Sequence, residues 1–480
     1  MYQRGTRYKV AVLLVVVIVI EVVYLRKRTT FHLSDFISRK ERIRVTTPLS
    51  VQNRTALLSN LNTALSTVEE YSSQVDCKGI INGDNDLKTK AESWIFNADS
   101  RKSWMDKVTD SNNKQVNRSS VMYSLDTFRC EAIKNHFVFA DRPLSAEEFE
   151  FPLAYGMLVY KEPTQIYLML SALYQPQNQF CIAVDDGADV EFKEKMDLLD
   201  ECFPNIHVKY VKKVTWCGFS VIQAVYGCVK TLSSLKNNWK YYQYLSGVDL
   251  PLKTNLEMVR IFKKMNGSFN AEVTEYQRHR LKNKTEPPPV KLWKSSLSAT
   301  FSRESADFMV HDEKVREVYE FLRNTDCADE SFWTTIAGNP KEILMPGGFD
   351  AEQWFAKIRK EKLQRRKARN LTLNQDEAMG RYYISRMQTW SYGGAQCHGK
   401  FISSSCAYGV GDVPALLKAQ ELVAHKLYFD IQPAAYFCTY ETVRKRALNG
   451  EDRDFTAEEY SKLPGPRLLA GDSINDVQIH

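Results

Sequence analysis

LAYGMLVY at residues 153–160 and QFCIAVD at Gln179–Asp185 are the two clearest strand signals in the chain, because each is a short, mostly apolar run. Pro163 starts a helical pattern between them, as expected of a proline in a first helical turn. Outward from this pair, the alternation continues with a helix to residue 202, a strand at 206–211, a helix at 220–236, a strand at 241–246 and a helix at 256–265. Short strands that alternate with helices predict a doubly wound α/β sheet.

Acidic residues follow two of these strands, at the edge where doubly wound sheets bind their ligands. Asp185 closes QFCIAVD and Asp186 follows it, and Asp249 lies in a loop after the strand at 241–246. Asp185 is a candidate to accept hydrogen bonds from a ribose or a base, although an acid here can equally cap the next helix. The sequence contains no GxGxxG or P-loop motif, which argues against a classical dinucleotide or NTP-hydrolysing site.

The composition is that of a globular protein with a modest basic excess. Of 480 residues, 44% are hydrophobic and 12% aromatic, which is enough for a substantial core and excludes general disorder. The net charge of +7 is spread along the chain. The longest basic cluster, at residues 359–369, is typical of a solvated helix face, and no nucleic-acid-binding module accompanies it. We therefore expect no nucleic-acid partner.

The N-terminus carries an apolar run at residues 10–25, interrupted only by Glu21. The run is slightly shorter than the roughly 17–25 residues usual for a membrane helix. A cleaved signal peptide is the alternative, but the basic residues 26–28 stand where a small-residue cleavage site would be. We predict a cytoplasmic tail at 1–9, an uncleaved membrane anchor at 10–25 and a polar, Ser/Thr-rich stem at 26–75.

Cysteines and glycosylation motifs indicate the side of the membrane on which the body of the protein lies. All ten cysteines follow the predicted anchor, and none has the C-x₂-C spacing of a zinc site. Five N-x-[ST] motifs also follow it, at Asn53, Asn117, Asn266, Asn283 and Asn370. Together these features favour disulfides and an oxidising, luminal compartment. We expect a catalytic body at 76–446 and a polar C-terminal tail at 447–480.

Glu330, in the sequence CADESFW, is a candidate general base. An inverting sugar transfer needs one carboxylate that removes the proton of the acceptor hydroxyl. Successive helical residues point about 100° apart, so Asp329 and Glu330 do not face the same way. One of the two can therefore face a cleft while the other caps a turn or is solvated.

We expect no metal ion and no other cofactor. D-x-D pairs, which hold a divalent cation in many UDP-sugar transferases, occur only at residues 84–86 and 452–454, and neither follows a strand. If the donor is a nucleotide sugar, basic residues must neutralise the leaving phosphate. Lys400 and Lys426 are the available candidates, although a single lysine is more often a surface residue.

Several segments in one order make the chain recognisable: EEFEFPLAYGMLVYKEP, YQPQNQFCIAVDDGAD, NWKYYQYLSGVDLPLKTNLEMVRIF, LSATFSRESADFMV, CADESFWTTI and CAYGVGDVPALLK. Over about residues 77–446 the chain resembles the core 2 β1,6-N-acetylglucosaminyltransferase and I-branching enzyme family (glycosyltransferase family 14). The resemblance implies a GT-A type domain with a Rossmann-like mixed sheet, working by inversion without a divalent metal. It also implies a single-pass type II protein of the Golgi membrane and leaves a homodimer open.

The resemblance carries roles onto individual residues. The family's catalytic glutamate falls on Glu330, its nucleotide-contacting aspartate on Asp185 and a lysine near the donor phosphates on Lys426. The family's second phosphate-binding cation, an arginine, is replaced here by Ser403. Lys400 is the candidate substitute, and the departure puts the donor contacts in question.

The resemblance identifies the acceptor-binding residues less clearly than the donor-binding ones. The acceptor-binding acid of the family falls on Glu272 or Glu275, and the residues alone do not choose between them. In the altered segment RYYISRMQTWSYGGAQC, Trp390 is the candidate aromatic wall of the acceptor site. Ordinary core packing is the alternative role for Trp390.

The resemblance also implies the disulfides. Four pairs are inherited from the family: Cys77–Cys438, Cys130–Cys202, Cys181–Cys228 and Cys397–Cys406. Cys217 and Cys327 remain, and we hypothesise that they form a fifth bridge. Two separate buried thiols are the alternative.

The implied reaction is transfer of GlcNAc from UDP-GlcNAc, in β1,6 linkage, to an O-glycan such as Galβ1,3GalNAc-Ser/Thr. UDP-glucose or UDP-xylose as donor stays open because of Ser403. A catalytically silent, sugar-binding Golgi protein is the alternative of another class, and intact Glu330 and Asp185 argue against it.

Overall fold

The computed structural model describes residues 47–109, 125–369, 382–392 and 395–479. The predicted cytoplasmic tail, membrane anchor and first part of the stem lie outside the described residues, as do the motifs at Asn117 and Asn370. Within the described part of the chain, none of the helices combines the length and the apolar character needed to cross a membrane.

Helices occupy much of the described chain and are numbered here in chain order. They are α1 Val51–Ser66, α2 Tyr71–Gln74, α3 Cys77–Ile81, α4 Asn85–Ser93, α5 Ala98–Thr109, α6 Leu125–Phe137, α7 Ala146–Glu150, α8 Pro163–Leu173, α9 Val190–Cys202, α10 Phe219–Ser234, α11 Asn255–Met265, α12 Arg303–His311, α13 Glu313–Phe321, α14 Phe332–Ala337, α15 Ala351–Arg369, α16 Val413–Lys418, α17 Pro433–Asn449, α18 Glu458–Ser461 and α19 Pro464–Leu469.

The strands are numbered in the same way. They are β1 Leu153–Val159, β2 Gln179–Asp185, β3 Ile206–Val211, β4 Tyr241–Ser246, β5 Asp249–Pro251, β6 Thr274–Glu275, β7 Trp293–Lys294, β8 Thr300–Ser302, β9 Lys400–Ile402, β10 Ser405–Ala407 and β11 Val423–His425.

A five-stranded sheet with the order β3-β2-β1-β4-β8 forms the centre of the fold. The first four strands run parallel, and β8 pairs antiparallel with β4. Helices α8, α9 and α10 connect the parallel strands, which is the arrangement that the alternating pattern predicts. The prediction of a mixed α/β fold is confirmed, and the four parallel strands lie within one residue of their predicted bounds.

Two hydrophobic clusters cover the two faces of this sheet. Tyr155 of β1 belongs to the cluster that includes Ile166 of α8. Its neighbour Ala154 belongs to the other cluster, with Ile222 of α10. Because successive strand residues point to opposite faces, a strand that is covered on both sides must be apolar throughout. This explains why the parallel strands are continuous apolar runs in the sequence.

The structure pairs every cysteine in a disulfide. Its pairs are the four that the resemblance implies, Cys77–Cys438, Cys130–Cys202, Cys181–Cys228 and Cys397–Cys406, together with the hypothesised Cys217–Cys327. The last bridge joins the loop before α10 to the segment that carries Glu330.

The ends of the folded body differ from the predicted stem and tail. Helix α1, which falls in the predicted stem, buries Leu61 and Leu65 against the core. The predicted polar tail also packs: Tyr460 of α18 is buried, and Thr254 donates a 2.7 Å hydrogen bond to Asp452. Both segments have enough apolar residues to pack at one side, which their polar average conceals. The folded body therefore extends beyond 76–446 at both ends.

Candidate active site

Asp185 lies at the carboxyl end of β2 and holds the loop that follows it. Its carboxylate accepts hydrogen bonds from the backbone N–H groups of Gly187, at 2.7 Å, and Val214, at 3.2 Å. The helix after β2 is capped by Asp189, which accepts from Phe192 at 2.7 Å. The helix-capping alternative for Asp185 is therefore wrong. Asp185 is half-buried at the ligand-binding edge of the sheet.

A buried network lies at the end of β4. His425 Nδ1 lies 2.6 Å from Asp249 Oδ1, and Ser246 donates to the same carboxylate through its backbone N–H, at 2.7 Å, and its hydroxyl, at 2.8 Å. Burial, helped by the positive charge of Arg386, lowers the pKa of His425 to about 4. The imidazole is thus neutral at neutral pH and donates its Nδ1–H to Asp249.

Lys426 follows this network directly and points into the same edge. It is only 7% exposed, and its Nζ donates a 2.9 Å hydrogen bond to the carbonyl of Ile402. Burial, followed by the charge of Arg386, lowers the pKa of Lys426. Lys400, by contrast, is exposed on β9. The structure therefore builds Lys426, and not Lys400, into the interior of the site.

Arg386 is one of the charged residues that the sequence patterns did not identify. It is buried, and its Nη2 donates to Ser296 Oγ at 3.0 Å and to Gln388 Oε1 at 3.3 Å. Its buried Nε has no hydrogen-bond partner among the described residues. The Arg386 charge influences the pKa of four site groups, those of Asp249, Glu272, His425 and Lys426. One sequence signal for Arg386 was available: it lies four residues before Trp390, in the segment RYYISRMQTWSYGGAQC.

Glu330 closes a single 3₁₀ turn, Ala328–Glu330, with its carboxylate partly open to solvent. Arg280 Nη2 donates to Glu330 Oε2 at 2.6 Å, and Lys294 Nζ lies 3.8 Å from the same oxygen. The backbone N–H of Ser295 donates to the Glu330 carbonyl at 2.7 Å. The two cations fix the position of the carboxylate, and its solvent-open part can reach the hydroxyl of a bound substrate.

Asp329 has a different environment from its neighbour Glu330. It is buried, and its Oδ1 has no hydrogen-bond partner among the described residues. Burial, followed by the negative charge of Glu330, raises the pKa of Asp329 to about 7. The two acids therefore divide as the helical angle predicts, with Glu330 at the cleft.

The structure distinguishes the two acceptor-side acids. Glu272 lies close enough to Glu330 and Lys294 for their charges to act on it: burial raises the pKa of Glu272, Lys294 opposes the rise and Glu330 adds to it. Glu275 is exposed on β6, opposite Trp293. Of the two acids, Glu272 is the one that the fold brings to Glu330.

Trp390 is half-buried beside the β9–β10 hairpin. Its ring stacks on that of Tyr392, with centroids 5.5 Å apart and planes 12° from parallel. Tyr392 is half exposed, so the pair presents an aromatic edge to solvent and is not ordinary core packing.

The described residues hold one close grouping of potential metal ligands, formed by Cys397, Cys406 and Asp412. The two cysteines form a disulfide, and Asp412 accepts from the backbone N–H of Gly409 at 2.8 Å. The D-x-D acids are also engaged locally, since Asp84 caps α4. Neither D-x-D pair stands at the carboxyl edge of the sheet.

Comparisons with known proteins identify the family to which the chain is similar. The sequence model of a family described as Core-2/I-Branching enzyme matches residues 153–416, which is more than half of the chain. A Homo sapiens β-1,3-galactosyl-O-glycosyl-glycoprotein β-1,6-N-acetylglucosaminyltransferase is 28% identical over 411 residues, covering 79% of this chain and 87% of its own. A Mus musculus N-acetyllactosaminide β-1,6-N-acetylglucosaminyl-transferase is 29% identical over 341 residues, covering 66% and 78%.

Among solved structures, that of the mannosyltransferase Ktr4p from S. cerevisiae aligns with this chain. It covers 50% of this chain and 70% of that chain at 10% identity, with a TM-score of 0.16. A similarity this low says nothing about the fold, which is described from the chain's own elements. The family match, by contrast, spans Asp185, Glu272, Glu330 and Arg386.

Proposed function

The chain belongs to the Core-2/I-branching enzyme family, and on that basis we propose that this glycosyltransferase moves GlcNAc from UDP-GlcNAc, in β1,6 linkage, to an O-glycan such as Galβ1,3GalNAc-Ser/Thr. The names of the human and mouse relatives both specify a β1,6-N-acetylglucosaminyl transfer. The observation that carries the proposal is the Glu330 carboxylate, which is partly open to solvent and lies 2.6 Å from Arg280 Nη2.

Glu330 acts as general base in one displacement. It takes the proton from the C6 hydroxyl of the acceptor while that oxygen attacks C1 of the donor sugar. The bond between C1 and the UDP oxygen breaks on the opposite face, so the configuration inverts. Arg280 orients the base through its hydrogen bond, and Glu272, near Glu330 and Lys294, binds acceptor hydroxyls.

Departure of UDP requires positive charge at the carboxyl edge of the sheet. Lys426 supplies one cation, and Arg386 supplies the second, in place of the arginine that Ser403 replaces. Asp185 binds the nucleoside from the end of β2. Both cations sit in a largely buried setting, where electrostatic stabilisation of a leaving phosphate is stronger than in water. We propose a GT-A type domain in which these residues do the work of a divalent metal.

The proposed location is the Golgi lumen, with residues 10–25 as membrane anchor. Five disulfides support an oxidising compartment. The three described glycosylation motifs support it too, because Asn53, Asn266 and Asn283 are all exposed. A protease-protection assay on intact membranes, with an antibody against the C-terminus, tests the topology; digestion of that epitope from the cytoplasmic side would contradict it.

A donor screen on the full-length chain tests the reaction. UDP-GlcNAc, UDP-glucose, UDP-xylose and UDP-galactose are compared by product mass, with Galβ1,3GalNAc-aryl as acceptor and EDTA present. We expect transfer of GlcNAc, undiminished by EDTA. Transfer of glucose or xylose would assign another donor, and loss of activity that Mn²⁺ restores would contradict the metal-independent mechanism.

Glu330→Gln tests the base. We expect kcat to fall by about 10³-fold, because proton transfer by a positioned base contributes roughly 10²–10⁴-fold. UDP affinity should stay unchanged, since the amide preserves the shape of the side chain. Glu313→Gln, an exposed change on α13, is the control. Turnover by Glu330→Gln close to that of the wild type would remove Glu330 from this role.

A further inference from the structure

A large cavity lies beside Arg280, which is one of its lining residues. Its volume is about 930 Å³, and its walls are the loop before α10, the turn Arg278–Leu281 and the segment that leads to Glu330. Ligand-binding cavities usually measure about 300–1,000 Å³. Arg280 lines this cavity and also donates a hydrogen bond to Glu330, so one side chain joins the cavity wall to the candidate catalytic residue.

Trp216 stands at the wall of this cavity with 89% of its surface exposed. It is the most exposed of the large hydrophobic side chains in the described part of the chain. Its indole has no aromatic, cation–π or hydrogen-bonding partner among the described residues. Ligand-binding cavities are lined largely by hydrophobic and aromatic side chains, so the open indole at this cavity wall is a candidate contact for a ligand.

The backbone around Trp216 is held firmly although its side chain is open. The next residue, Cys217, is bridged to Cys327, and the Cys327 N–H donates to the Cys217 carbonyl at 2.7 Å. The Asp326 N–H in turn donates to the Arg280 carbonyl at 2.8 Å. The cavity is therefore preorganised, which reduces the entropy lost when a ligand binds.

The charges around the cavity are largely compensated. Lys282 Nζ lies 2.7 Å from Asp326 Oδ1, and Arg323 pairs with Glu320 at 2.8 Å. Arg280 is engaged with Glu330. Such a lining favours an uncharged ligand that combines hydroxyl groups with an apolar face. A pyranose has this character, since its C–H face can lie on an indole while its hydroxyls bond to the polar wall.

We propose that the Trp216 cavity binds a neutral saccharide residue of the acceptor, beyond the sugar whose hydroxyl reacts at Glu330. This rests on the proposed function, because it takes the acceptor to be a glycan. The subsite would let the enzyme prefer acceptors longer than a core disaccharide.

Trp216→Ala tests the subsite on the full-length protein with two acceptors. One is Galβ1,3GalNAc-aryl, and the other is the same core lengthened by a lactosamine unit. We expect KM for the long acceptor to rise about tenfold, as for loss of one aromatic contact, with kcat unchanged and the short acceptor unaffected. Leu344→Ala, which removes an exposed side chain outside the cavity, is the control. Equal KM changes for both acceptors, or none, would overturn the proposal.

A second variant tests whether the protein's own N-glycan, and not the acceptor, occupies the cavity. Asn283 begins a glycosylation motif beside Lys282, so an N-glycan on this residue would stand at the cavity rim. In Asn283→Gln protein, which lacks this glycan, Trp216→Ala should still raise KM for the long acceptor. If the rise in KM disappeared, the cavity would hold the protein's own glycan, and the proposal would be overturned.

Binding can be scored without turnover. Saturation-transfer NMR with Glu330→Gln protein and UDP should show contact with the added lactosamine unit, lost on Trp216→Ala. If the wild type transferred sugar to no acceptor, the proposed function would be wrong. The NMR measurement would still show whether the Trp216 cavity binds the saccharide. Undiminished contact in Trp216→Ala protein would count against it.

Discussion

The two sides of the candidate site are built in opposite ways. On the donor side, Asp249 is fully buried in its network with His425, and Lys426 is only 7% exposed. On the acceptor side, the Glu330 side chain is 36% exposed and Trp216 is 89% exposed. Buried charges must be paired for the chain to fold, whereas exposed ones can change at little cost. The donor side should therefore tolerate little variation, and the acceptor side should be free to adapt.

Among the tests of this comparison, the largest expected effect is the difference in kcat between variants of Lys426 and Lys400. Lys426→Ala should lower kcat by about 10²–10³-fold, the usual loss when one group that stabilises transition-state charge is removed. Lys400→Ala should change kcat less than about twofold, because its side chain is exposed and outside the buried network. Steady-state kinetics with UDP-GlcNAc check both variants. Similar losses for the two would show that Lys400 also serves the leaving phosphate.

A pH dependence of stability should come from the donor side. His425 has a folded pKa of about 4, below its ordinary 6.5, so the unfolded chain takes up a proton first. The stabilisation from the neutral His425 imidazole is therefore complete above pH 6.5 and is lost as the pH falls through 4. The free energy of unfolding should decrease by about 3 kcal/mol over this range. Urea unfolding at several pH values measures the loss.

His425→Asn sharpens this test. Asparagine can still donate to Asp249 but does not titrate, so this variant should lose less stability between pH 6.5 and 4 than the wild type. His279→Asn, at an exposed position of the acceptor side, should keep the wild-type slope. If both variants keep that slope, the acid sensitivity arises outside this network.

The smallest expected effect compares the two acceptor-side acids. Glu272→Gln should raise KM for the acceptor about tenfold, because Glu272 lies near Glu330 and Lys294. Glu275→Gln, an exposed change on β6, should leave KM unchanged. Neither variant should change the affinity for UDP. The reverse ranking in acceptor kinetics would move the binding acid to Glu275.

Sequence patterns predicted the strands of the central sheet far better than the surroundings of the charged residues. The apolar runs of β1 to β4 and the acid at the end of β2 are local signals, so their positions could be read directly. Arg280 and Arg386 could not be found in this way. Their roles depend on which residues fold next to them, Glu330 in one case and Lys426 in the other. Charged residues carry no periodic signal that reports such neighbours.

The predictions of a stem and a polar tail at the two ends of the folded body were wrong for a related reason. The sequences of α1 and of residues 451–469 are polar on average, and average polarity predicted a stem and a tail. A few apolar side chains, such as Leu61 and Tyr460, were enough to dock them. The choice between Glu272 and Glu275 likewise needed the fold, because three residues of sequence separate two very different surroundings.

The bridge between Cys77 and Cys438 has a consequence for biosynthesis. Its partners are 361 residues apart, so the first cysteine must wait for nearly the whole body to be synthesised. At roughly 5–20 residues per second, that wait lasts about 20–70 seconds. During this time Cys77 is exposed to the cysteines that emerge before its partner. Correct pairing in the nascent chain therefore relies on those earlier cysteines finding one another first, and the yield of correctly folded protein should be sensitive to any change that delays them.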